Sequence, residues 1–123
     1  MKLRILALGV IGAAALAGSA DAHHSFAMYD STKYTALQGV VKSYSWRNPH
    51  AMLEFVALTP AGEETWSVEL SAPNIIGRRG WSAKSLKAGD KIPLVLHPMK
   101  DGTKFGLMVS VTLPNGQVLK DKT

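Results

Sequence analysis

Imidazole, carboxylate and thioether side chains fall into a few places along this chain. His23 and His24 are adjacent, His50, Met52 and Glu54 follow one another at two-residue steps, Glu69 comes later, and His97 precedes Met99. Imidazole with carboxylate suits zinc or copper, and a thioether nearby tilts the choice toward copper. The chain has no cysteine, so thiolate zinc sites are excluded. No HExxH or acidic calcium-loop motif occurs, so any metal site has to be assembled by the fold from separate segments.

What precedes His23 gives that residue its interest. Lys2 and Arg4 are followed by an apolar run from Ile5 to Gly18, and Ala20-Asp21-Ala22 has the small-x-small form of a cleavage site. This order reads as a secretory signal peptide over residues 1–22. Cleavage after Ala22 makes His23 the first residue, with a free amine and an imidazole that can close on one metal ion. The expectation is a periplasmic protein with no membrane span after processing, the apolar run being too short to cross a bilayer as a helix.

Each candidate also has an ordinary structural use. His23 and His24 can belong to an arm without a ligand. His50, after Asn48-Pro49, can be a turn residue bonded to backbone, and His97 beside Pro98 reads as structural. Met52 and Met99 serve packing more often than ligation. Glu54 and Glu69 can accept bonds from Arg78 or Arg79.

The net charge is +5, but the basic residues are scattered and no run exceeds Arg78-Arg79. That excludes a phosphate-tracking stripe, and nucleic acid is not an expected partner. About 100 residues after the signal suffice for one domain, whose stability must come from a conventional core.

The elements that would position these groups are short strands. Period-two patterning and the Pro and Gly punctuation predict strands over 37–46, 51–58, 64–70, 91–97 and 105–113, and a helix over 73–79. A helical turn is expected over 82–87 and a short last strand after Asn115-Gly116. Pro93 within the fourth strand implies that its amide side faces an edge. Three strands, a short helix and two strands are the order of an OB-fold-like five-stranded barrel, an all-β class. The expected organisation is a signal peptide at 1–22, an extended arm at 23–36 and the barrel at 37–123.

A two-residue Ala61-Gly62 turn would set Phe55 opposite Val68, Leu53 opposite Leu70 and Ala57 opposite Trp66. The same register would put Glu54 directly opposite Glu69, an arrangement that needs a compensating positive charge or a proton. Trp66 is expected inward and Trp81 at the barrel end. Trp46 remains a surface candidate for a ligand platform. Catalytic readings are thin: Ser25 beside His24 has no nucleophile elbow and no positioned acid.

His23-His24-Ser25-Phe26-Ala27-Met28-Tyr29-Asp30, Trp46-Arg47-Asn48-Pro49-His50 and Trp66-Ser67-Val68-Glu69-Leu70 come in that order. Pro73-Asn74, Arg78-Arg79-Gly80-Trp81 and Leu86-Lys87-Ala88-Gly89-Asp90-Lys91 follow. Together they resemble the domain-of-unknown-function 6152 family of small exported bacterial proteins, over essentially the whole chain after the signal. The resemblance implies a periplasmic protein of a Gram-negative bacterium and brings no activity, substrate or cofactor.

The leading expectation is a periplasmic protein that binds copper or another metal through His23, by its amine and ring, with His24 or His50, and with Glu54 and Glu69 as direct ligands or as supports of the ligands. The alternative is a metal-free module that presents Trp46, Met52 and His97 to a small ligand or a periplasmic protein partner. An oxidase built on an N-terminal histidine brace is a third reading; on balance the residues favour binding over catalysis.

Overall fold

A computed structural model describes residues 26–121. The signal segment, His23 and His24 lie outside the described residues. The elements are β1 (Thr35–Ser45), β2 (Met52–Thr59), β3 (Gly62–Glu69), α1 (Pro73–Ile76) running into a 3₁₀ turn at Gly77–Arg79, β4 (Lys91–Pro98), β5 (Phe105–Thr112) and β6 (Val118–Lys120). β1 pairs with β2 and β4, β2 with β3, and β4 with β5, all antiparallel; a short parallel pairing of β3 with β5 closes the ring. The result is a closed, mixed five-stranded β-barrel with one short helix between β3 and β4, as the strand order led one to expect. β6 extends β5 outside the ring. Among the described residues no helix is long and apolar enough to cross a membrane.

Alternation along the strands fills the barrel. Leu53, Phe55 and Ala57 of β2, Trp66 and Val68 of β3, and Ile92, Leu94 and Leu96 of β4 are buried together with Val41, Met108 and Val111. Closing so small a ring requires strands to curve, and β1 does so at two points. Its register slips between Val41 and Ser43. At Gly39 the neighbouring strand comes so close that an added Cβ would stand 1.9 Å from the Val56 carbonyl oxygen. Pro93 is compatible with a doubly paired strand because the β4–β5 ladder starts only at Leu94.

Two expectations are corrected. The β2–β3 turn is Pro60-Ala61, closed by Thr59 opposite Gly62, so the register differs by two residues from the expected one. Proline at the first turn corner supplies the φ that position needs, and the Thr59 hydroxyl donates to the Gly62 carbonyl at 2.7 Å. A shift of two keeps every side chain on its expected face but changes its partner: Glu54 faces Ser67 and Glu69 faces Met52. The segment over 82–87 forms a turn rather than a helical one, held by Ser82 and Ser85 side-chain bonds to its own backbone.

The chain ahead of β1 straps the outside of the barrel. After a 3₁₀ turn at Phe26–Met28, Tyr29 pairs with Met99, the Asp30 amide donates to the Pro98 carbonyl and the Lys100 amide to Met28. The strap ends where β1 starts, at Thr35. Across the molecule, Asp121 accepts from the Ser71 amide and hydroxyl and from Arg79, while Trp81 donates its indole N–H to Lys120. Arg79, one of the two arginines expected beside Glu54 or Glu69, is thus committed to Asp121.

Gly39→Ala should cost about 3 kcal/mol or more, because the clash is with backbone rather than a side chain that can swing away. Urea unfolding followed by tryptophan fluorescence measures it; a loss under about 1 kcal/mol would mean that β1 and β2 are not so closely apposed.

Candidate functional site

The strap, the β1–β2 loop and the ends of β3 and β4 meet on one outer patch of the barrel. Cα pairings align Met52, Glu69, Leu107 and His97 in a row across β2, β3, β5 and β4. Because Leu53, Val68 and Leu96 point inward, alternation sends this row outward. An outward carboxylate and an outward imidazole would ordinarily be wet. Here Glu69 is only 2 % exposed and His97 3 %.

The strap accounts for this burial. Tyr29, itself 2 % exposed, donates its hydroxyl to Glu69 Oε2 and stacks on Phe105 with ring centroids 6.2 Å apart. His97 donates Nδ1–H to the Lys33 carbonyl at 2.7 Å, the carbonyl being able only to accept, and Tyr34 lies 4.7 Å from its ring. An unpartnered buried carboxylate costs several kcal/mol, so the partners of Glu69 are a condition of its position.

The second carboxylate oxygen faces His50. Nε2 of His50 lies 3.4 Å from Glu69 Oε1. His50 follows the Asn48-Pro49 peptide, which is cis, and precedes the buried Ala51, whose amide and carbonyl bond to Ser71 and Leu70. Its Nδ1 is buried and has no hydrogen-bond partner among the described residues. A hydrogen on Nδ1 would be a buried donor without an acceptor. The neighbours therefore assign the hydrogen to Nε2, toward Glu69, and leave Nδ1 a bare lone pair.

The remaining sequence candidates are placed as follows. Glu54 shares the outer face with Glu69 but accepts from the Ser67 hydroxyl at 2.6 Å. Met52 is half-buried beside Glu69. Trp46 is half-buried against the core, 6.3 Å from the Tyr44 ring. His97 lies under the strap. Among the described residues there is no group of three or more His, Cys, Asp or Glu arranged to hold a metal; His50 and Glu69 are brought together, and His23 and His24 lie outside the described residues. The sequence reading missed Tyr29. Its signals were its place in the His23–Asp30 motif and an aromatic ring in a segment without strand period, next to Asp30, which caps a tight turn through Thr32.

Burial, followed by the bond to Glu69 and its charge, raises the Tyr29 pKa far above the ordinary phenol value, so the hydroxyl remains a donor. Burial raises Tyr44 likewise. The folded state keeps these protons where an unfolded chain has lost them. Their contribution is full below about pH 10 and is lost as pH rises further. Tyr29→Phe should cost about 2 kcal/mol at neutral pH, the worth of a buried bond to a charged group. It should also flatten the decline in stability above pH 10. Urea denaturation from pH 7 to 11 checks both; an unchanged stability would mean that the phenol does not hold Glu69.

No curated protein and no solved structure matches the chain. The family of unknown function DUF6152 does match, over residues 12–109, which include the strap, the β1–β2 loop and all of β1 to β4. With more than half of its length covered, the chain belongs to the DUF6152 family.

Proposed function

We propose that this is an exported periplasmic protein that binds copper, with His50 and the N-terminal His23 as principal ligands. The observation that carries the reading is the bare, buried Nδ1 of His50 on a ring whose other nitrogen faces a buried carboxylate. Metal-bound histidines are oriented in this way: the far N–H points to a carboxylate, which fixes the tautomer and raises the basicity of the ligating nitrogen. On this reading Glu69 orients His50, and Tyr29 in turn holds Glu69.

Two described donors do not make a centre, so the remaining ligands come from the processed N-terminus. Cleavage after Ala22 gives His23 an amine and an imidazole, with His24 adjacent. The six-residue step from His23 to Tyr29 spans at most about 20 Å, so a donor at His23 is within that reach of Tyr29. Met52, beside Glu69 on the OB-like barrel's outer face, adds a thioether that favours copper over zinc. Glu54 supplies negative charge on the same face while engaged by Ser67. The role is binding and delivery or sensing rather than turnover.

The test is calorimetric titration of Cu(II) into protein beginning at His23 and into the same protein with one extra residue before it. The extension turns the amine into an amide, a poor donor, and should weaken binding by at least tenfold, that is about 1.4 kcal/mol. His50→Ala should weaken it comparably, and His97→Ala much less. Equal affinity for native and extended termini would remove the N-terminal donor from the account.

A further inference from the structure

Beside the strap lies a cavity of about 230 Å³ lined by Met28, Met99, Thr103, Lys104 and Phe105. We infer that it is a binding site for a small neutral aromatic molecule, a ligand independent of the proposed copper. Its volume is below the range of about 300–1,000 Å³ usual for drug-sized ligands, which fits a single ring with a short substituent. Two thioethers and a phenyl face make soft, polarisable walls, and sulfur packs favourably against aromatic rings.

The polar groups around the cavity decide the charge of the ligand. The Thr103 hydroxyl is spent on Asp101, to which it donates at 2.8 Å. The Lys104 ammonium lies 3.4 Å from Glu64 Oε2 and 5.2 Å from the Trp66 ring centroid. Among the described lining residues the one cation is already paired, so an entering anion would compete with Glu64 for it. A neutral ring displaces no such pair. Phe105, which forms one wall, stacks on Tyr29, so the ligand would sit one ring away from the Tyr29–Glu69–His50 chain.

The test uses the whole chain labelled with ¹³C at the methionine methyls and titrated with benzyl alcohol and, separately, with benzoate. Benzyl alcohol should shift the Met28 and Met99 methyls saturably, while Met108, fully buried in the barrel, stays fixed. Benzoate should bind at least tenfold more weakly. Met28→Gln, on a residue 37 % exposed and outside the core, should weaken benzyl alcohol binding about tenfold. The extra residue before His23, which leaves Glu69 and both its partners intact, should leave benzyl alcohol binding unchanged, and this separates the site from the copper reading. The inference is overturned if the two methyls do not move, if benzoate binds as well, or if they move with protein concentration alone, the mark of a second copy filling the cavity.

Discussion

A carboxylate buried on the outside of a barrel is the constraint around which this molecule is arranged. Glu69 points away from the core, yet it is almost wholly removed from water. Water would solvate it well, so its burial persists only because Tyr29 and His50 take the two oxygens. One partner comes from the strap and the other from the β1–β2 loop. The carboxylate thus joins three segments that are far apart in the sequence, and the strap cannot leave without exposing or unpairing it. His97 repeats the device at the other end of the row, holding the strap through the Lys33 carbonyl.

The same interaction gives the site its chemistry. A histidine with both nitrogens satisfied is a structural residue; His50, with a carboxylate on Nε2 and no partner for Nδ1 among the described residues, has the arrangement that the proposed ligand role requires. The barrel supplies rigidity: Ala51 beside His50 is bonded on both sides of its backbone, and Leu53 and Val68 behind the row are fully buried. On the proposed reading, in which the ligand set is completed by a processed N-terminus, binding depends on cleavage directly before His23.

The strands, the helix and the closing of the barrel could be read from the sequence because proline, glycine and period-two alternation act locally. The β2–β3 partners could not be read as safely. Turns at Pro60-Ala61 and Ala61-Gly62 differ by two in register and leave the same faces buried, so hydrophobic pattern alone cannot choose between them; the preference of proline for the first corner does. His50 and Glu69 were legible as polar residues of one face. The direct Glu54–Glu69 opposition disappeared with the register. Tyr29 was not legible, since its partner lies forty residues away and its segment follows no period. Burial of an outward-facing residue is a tertiary fact with no local signature.

The tautomer of His50 tests the central claim most directly, since orientation by Glu69 predicts which nitrogen carries the hydrogen. Long-range ¹H–¹⁵N correlation spectra of the metal-free protein at neutral pH read this for each ring. The account predicts that His50 carries its hydrogen on Nε2, with Nδ1 showing the shift of an unprotonated nitrogen, and that Glu69→Gln disturbs this pattern. A hydrogen on Nδ1 of His50, or a ring averaging freely between tautomers, would contradict it.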